Sequence, residues 1–409
     1  MKKRFLSVGL AAVMAASLTA CSGSGSADGA KSQSAGEEKS ADGTVFKIGG
    51  IGPLTGGAAV YGAAVKHGTE LAVNEINAAG GVNGYPIEFQ FQDDEHDAEK
   101  SINAYNTLKD WGMQILVGTT TSAPCVAVAD KTAADNMFQI TPSGSAVECA
   151  ANPNVFRVCY SDPDQGAASA AYIGEHKLAT KIAVIYDSSD VYSSGIYEKF
   201  AQEAPGQGLE VVAAEAFTAD SNKDFSTQLQ KAKDSGAELV FLPIYYTEAS
   251  LILQQANTMG FAPQFFGVDG MDGILQVEGF DTSLAEGLML LTPFAADATD
   301  DLTVKFVKSY EEAYGETPIQ FAADAYDAVY AVKAALEDAK ATPDMSVSDL
   351  CDAMKVSMLN IKLDGLTGES MTWTEDGEPH KAPKAVEIVN GAYSVSYTHL
   401  RAHETLRHL

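Results

Sequence analysis

Positive charge is scarce in this 409-residue chain: 27 Lys and Arg stand against 55 Asp and Glu, for a net charge of −28. Nucleic acid and an anionic membrane surface would both repel such a chain, so neither is expected as a main partner. Cysteine is sparse too. Beyond Cys21 the thiols are Cys125, Cys149, Cys159 and Cys351, scattered and without a Cys-x-x-Cys pair, which argues against zinc. No Gly-x-Ser-x-Gly elbow occurs. Ahead of residue 395 the candidate bases are His67, His96, His176 and His380, and none adjoins a serine in a recognisable catalytic arrangement. An enzyme is therefore not expected, and the motifs call for no cofactor and no metal.

What is present suffices for a large core. Hydrophobic residues make up 46% and charged residues 20% of the chain, which are globular values. The length predicts two lobes of ~150 residues each. At the start, Lys2-Lys3-Arg4 precedes a short apolar run from Phe5 to Ser17, the pattern of an export signal over residues 1–20. Leu18-Thr19-Ala20-Cys21 resembles a bacterial lipobox, so Cys21 is expected to carry lipid on the outer face of the cytoplasmic membrane. Residues 21–44 are rich in Ser, Gly, Ala, Glu and Lys and read as a flexible tether. Nothing later resembles a membrane span.

At the other end, residues 395–409 are similar to a reading-frame translation of a transposase adapter used in sequencing libraries. The natural chain is then expected to stop near Tyr393 or Ser394, and the pair His399 and His403 with Glu404 is set aside as a metal site. Export permits disulfides, and the four remaining cysteines allow three pairings. Cys149–Cys159 is favoured because it closes a short loop.

Between these ends, short strands alternate with helical patterns, which implies mainly parallel sheets buried on both faces. A strand from Val45 leads into Gly49-Gly50-Ile51-Gly52-Pro53-Leu54-Thr55-Gly56-Gly57, whose glycine spacing and proline do not suit a dinucleotide. A helix is expected from Tyr61 to Ala79, ended by Gly80-Gly81. Asp93-Asp94-Glu95-His96-Asp97 reads as a strand end and helix start. Ile115–Gly118 and Gln139–Thr141 each open into loops rich in hydroxyls, Thr119 to Ser122 and Ser143 to Ser145. Such loops at the carboxyl ends of parallel strands suit a small carboxylate. A second series of strands and helices begins at Lys181, Leu288–Leu291 is expected to cross back to the first lobe, and a strand-rich finish is expected from Leu366 to Val389.

With these passages in order, the chain from Lys47 to about Tyr393 resembles the branched-chain amino-acid-binding (Leu/Ile/Val-type) family of periplasmic binding proteins. The passages that carry the resemblance are Gly52-Pro53-Leu54-Thr55-Gly56, Ile76 to Gly84, Thr141-Pro142-Ser143, Asp162 to Gly166, Lys223 to Ser226, and Gly368 with Thr372-Trp373. The family implies two similar doubly wound α/β lobes, three hinge crossovers and a ligand cleft between them. Lobe 1 would take residues 45–161 and 292–371, and lobe 2 residues 162–291 and 372–394. It also implies a monomeric receptor that hands an amino acid to the membrane permease of an ABC importer. Carried over residue by residue, the ligand site would comprise Tyr61, Ser122, Ser143 and Ser145 on one side, and Tyr192, Tyr245 and Asp269 on the other. Ser145 would bind the α-carboxylate. Asp269 would pair with the α-ammonium, standing where close relatives often have Glu. The alternatives are a receptor for another small polar ligand, an amide or short-chain carboxylate, and a sensing module for a signalling partner.

Overall fold

The computed structural model describes residues 44–397, with side chains to Ser394. The export signal, Cys21, the tether through Gly43 and the tail beyond Tyr397 lie outside the described residues. The first half runs β1 (Phe46–Gly52), α1 (Ala59–Ala78), β2 (Ile87–Asp93), α2 (Ala98–Trp111), β3 (Ile115–Gly118), α3 (Ser122–Asp135), β4 (Phe138–Thr141) and β5 (Val155–Arg157). The second runs α4 (Asp162–Glu175), β6 (Lys181–Asp187), α5 (Val191–Glu203), β7 (Glu210–Phe217), α6 (Ser226–Asp234), β8 (Leu239–Leu242), α7 (Tyr246–Thr258), β9 (Gln264–Gly267) and β10 (Met289–Thr292). Helices α8 (Asp301–Tyr314), α9 (Gln320–Asp338) and α10 (Val347–Met358) follow, and strands β11 (Lys384–Val389) and β12 (Ala392–Tyr397) close the chain.

The first sheet has the order β2-β1-β3-β4-β5, all parallel. In the second, β7-β6-β8-β9-β10 repeats that order, and the antiparallel pair β11 and β12 extends it past β10. Both sheets are doubly wound. Each places a topological switch point between its first and third strands, where open α/β sheets leave a crevice. The central strands Ile115–Gly118 and Leu239–Leu242 are buried throughout, as strands covered on both faces must be.

Helices α8 to α10 return to the first half. α9 lies against α1 so closely that a Cβ on Gly68 would meet the Ala322 carbonyl oxygen at 2.1 Å. Only glycine allows that approach. The chain thus passes between halves after β5, after β10 and before β11, giving the three crossovers of a type I periplasmic-binding-protein fold. The crossovers are tied together: the Trp373 indole N–H donates to the Arg157 carbonyl at 2.8 Å, and the buried Lys381 ammonium donates to Asp324 of α9 at 3.1 Å.

Several expectations change. Leu288–Leu291 does not cross back; Met289–Thr292 is β10 of the second sheet, since four consecutive buried residues need cover on both faces, and the crossing follows it. The finish holds only isolated bridges, Leu363 to Met371 and Trp373 to Pro379, before β11. Of the stretch read as foreign, residues 395–397 continue β12 beside β11. Cys149 does not face Cys159. Its turn, Val147–Ala150, folds back onto α3 and sets Cys149 against Cys125, whereas Cys159 follows β5 near Arg157 and Lys381.

Candidate functional site

The loops at both switch points meet over one small cavity. From the first half come Tyr61, Thr120, Thr121, Ser122 and Ser143, with Phe321 of α9; from the second come Tyr192, Tyr245, Asp269 and Gly270.

On the first side, β3 opens through three threonines into α3. Thr121 stands at the N-cap without a side-chain capping bond, so the amino end of this 14-residue helix is left uncapped beside the cavity. The Ser122 oxygen does not cap the helix and serves elsewhere. It accepts the N–H groups of Ser145 and Ala146, each at 3.2 Å. The Ser143 hydroxyl donates to the Thr120 carbonyl at 2.6 Å. The buried guanidinium of Arg157 holds the far side of the same turn, donating to the carbonyls of Ser145 (2.5 Å) and Ala146 (3.0 Å), and pairs with Glu378 at 3.2 Å. Serine and arginine therefore fix the two serine-bearing loops against each other. His96 braces Thr121, its Nδ1 lying 2.8 Å from the threonine oxygen, and burial holds the imidazole below its ordinary pKa.

On the second side, Asp190 caps α5 by accepting the Tyr192 N–H at 3.2 Å. The Tyr192 hydroxyl donates to Asp269 at 2.6 Å and accepts the Gly270 N–H at 2.9 Å, while its ring stacks on Tyr245 at 4.8 Å. A Cβ on Gly270 would lie 2.5 Å from that hydroxyl, so a larger residue here would displace Tyr192. Asp269 is 4% exposed, and burial pushes its carboxyl up to about 6, against the Tyr192 hydrogen bond that favours the ionised form. Burial also raises the phenols of Tyr61, Tyr192 and Tyr245 well above their usual value, so all three remain protonated donors.

Tyr61 joins the halves. Its hydroxyl donates to the Gly270 carbonyl and accepts the Tyr246 N–H at 3.2 Å, and its ring stacks on Phe321 at 4.2 Å. Six of the seven expected residues, Tyr61, Ser122, Ser143, Tyr192, Tyr245 and Asp269, line the cavity together. Ser145 does not. It is fully buried one layer behind Ser122, facing Asp162 at the start of α4. Thr120, Thr121, Gly270 and Phe321 were not singled out from sequence. The threonines adjoin Ser122 and were within reach of the hydroxyl-loop argument, whereas nothing local marks Phe321.

Comparison with known proteins is consistent with this geometry. The model of the periplasmic binding protein family matches residues 45–392. The Leu/Ile/Val-binding protein homolog 3 of Brucella melitensis is 31% identical over 73% of this chain and 80% of its own length. The Leu/Ile/Val-binding protein of Escherichia coli is 27% identical over 81% and 88%. Among solved structures, the branched-chain amino acid transporter substrate-binding protein LivJ of Streptococcus pneumoniae, in complex with isoleucine, has a TM-score of 0.77 at 27% identity, covering 85% of this chain and 97% of that one. A solute-binding protein of an ABC transporter from R. palustris, in complex with benzoate, shares the fold with a TM-score of 0.76 at 19% identity, covering 86% and 95%.

Proposed function

This chain belongs to the periplasmic binding protein family, and within it we propose a receptor that captures a free zwitterionic amino acid, branched-chain or similar, and delivers it to an ABC importer. The observation that carries the reading is the arrangement across one cavity of the uncapped amino end of α3 and the carboxylate of Asp269. A zwitterion needs both. Neutral hydroxyls and helix N–H groups suit its carboxylate, and a buried acid suits its ammonium.

Ser122 and Ser143 hold the carboxylate side in place, and Ser145 supports them from behind rather than touching the ligand. Tyr192 aims Asp269, and Tyr61 closes one half over the other. A ligand touching both halves favours the closed form in proportion to those contacts, by hinge motion at the three crossovers. Cys21 would tether the receptor to the outer face of the cytoplasmic membrane.

A benzoate-like acid is the competing ligand, because it shares the carboxylate and lacks the ammonium. Asp269 stands against it: a ligand without a cation would leave that carboxyl buried beside an aromatic ring and force it to stay protonated. Calorimetric titration of residues 45–394 with the common amino acids and with benzoate tests the reading. Binding of at least one amino acid tighter than roughly 100 µM, within the −4 to −8 kcal/mol span from millimolar to micromolar, is expected, with no heat from benzoate. Benzoate binding without amino-acid binding would overturn it.

A further inference from the structure

We propose that Cys125 and Cys149 form an oxidisable dithiol directly beneath the carboxylate-binding loops, and that their disulfide locks those loops in register. Cys125 lies in the first turn of α3 and Cys149 in the turn Val147–Ala150; both are fully buried and pack with Ala146 in a small apolar cluster apart from the main core. The two side chains pack together in that cluster, and each thiol shifts the titration of the other. The Cys149 sulfur also lies 3.6 Å from the Ser122 carbonyl. Ser143 and the turn from Gly144 to Ala146 fall between the two sulfurs in the chain, and Ser122 stands three residues before Cys125.

The surroundings of the two thiols differ in a way that assigns roles. Cys149, with Thr119 and Thr141 assisting, holds the Cys125 thiol below its ordinary value, and the Gln139 amide stands 3.6 Å from its sulfur. It also sits at the positive end of a helix, where thiolates are favoured. Cys149 is held well above its ordinary value by burial. Cys125 is thus the attacking thiolate and Cys149 the resolving thiol. With a low-molecular-weight disulfide as oxidant, the Cys125 thiolate attacks one sulfur and expels one thiolate. Cys149 passes its proton to that leaving group, and its sulfur then attacks Cys125 in the mixed disulfide and expels the second thiolate. Two thiols are oxidised and the reagent is reduced to two thiols, with no other electron source. Because both sulfurs are buried in the folded form, the exchange takes place as the exported chain folds or as the Val147–Ala150 turn opens.

Cys159 and Cys351 serve as internal controls. Cys159 is surrounded by Arg157, Asp324, Asp269 and Lys381, and Cys351 by Lys355 and Asp352. The experiment refolds the reduced mature chain with oxidised glutathione, blocks remaining thiols under denaturing conditions, and maps peptides by mass spectrometry. A Cys125–Cys149 link is expected, with Cys159 and Cys351 still free to be alkylated. Cys159→Ser should leave the link intact, and Cys149→Ser should leave Cys125 as a glutathione adduct. The oxidised protein should melt several degrees above the reduced one, a difference absent from the double variant Cys125→Ser with Cys149→Ser. Four alkylated thiols after refolding, or a link through Cys159, would overturn the proposal. The readout needs no ligand, so it stands or falls separately from the amino-acid reading.

Discussion

The two halves of this molecule share one sheet order and differ in chemistry. In each, the loops after the first, third and fourth strands of the unit converge on the cavity. In the first half these loops begin after Gly52, Gly118 and Thr141; in the second they begin after Asp187, Leu242 and Gly267. The first set supplies hydroxyls and helix N–H groups, the second a stacked pair of phenols and a carboxylate. The topology decides where a ligand sits, and the loop residues decide which end of the ligand each half holds. Charge separation across the cleft is then a property of the pair of halves and of neither alone.

The largest test of that division is Asp269→Ala. Removing one partner of a buried, hydrogen-bonded charge pair costs ~2–5 kcal/mol, so amino-acid affinity should fall by roughly 30-fold or more. The melting temperature of the ligand-free protein should change little, because removing a carboxyl that burial disfavours offsets the acceptor that the Tyr192 hydroxyl loses. Unchanged affinity by calorimetry would remove the ammonium from the second half and break the comparison. Ser122→Ala is its counterpart. It strands the N–H groups of Ser145 and Ala146, at ~1–3 kcal/mol for buried unsatisfied donors. Affinity should drop about tenfold and the melting temperature by a few degrees, since this serine organises a loop as well as lining a site.

A pH series sharpens the contrast between a titrating half and a neutral one. Asp269 has its folded pKa raised from 3.8 to about 6. With both states protonated at low pH, its contribution to the stability of the free protein is most favourable below the unfolded value and is lost as pH rises through about 6. Ligand affinity has the opposite slope, since an ammonium needs the ionised carboxylate. Calorimetry from pH 4.5 to 7.5 should show binding strengthening by roughly tenfold up to about pH 6 and then levelling, with proton release below it. The same series with Asp269→Asn, weaker throughout, should lose the slope. A slope retained in that variant would move the effect to the neighbouring Asp162 or Asp272.

The first half was the more legible in sequence, and the reason is local. Ser122 and Ser143 lie four and two residues past buried four-residue strands, so strand recognition alone brings them to a sheet's carboxyl edge. The resemblance to a family, more than any pattern, brought Tyr61, Tyr192 and Tyr245 to the cleft. What escaped depends on packing between distant segments. Phe321 reaches the cavity because α9 returns to lie on α1, a contact that Gly68 permits but does not announce. Ser145 failed in the other direction: it has the right neighbours in sequence, but Ser122 takes its N–H group and turns it away from the cavity. The Cys149–Cys159 pairing rested on loop length, and loop length says nothing of which way the turn at Val147 folds.

The smallest expected effect falls on a residue that bridges the two halves. Tyr61→Phe keeps the ring stacked on Phe321 and removes the hydroxyl that bridges the Gly270 carbonyl and the Tyr246 N–H. A net hydrogen bond is worth ~0.5–1.5 kcal/mol, so affinity should fall about threefold to tenfold with little change in melting temperature. Solution scattering should show a smaller contraction on ligand addition than in the parent protein, since an interlobe contact is lost while the ligand's own contacts remain. A loss as large as that of Asp269→Ala would instead mean that closure is driven chiefly by protein–protein contacts across the cleft. The division of labour between carboxylate and ammonium would then be secondary to the latch.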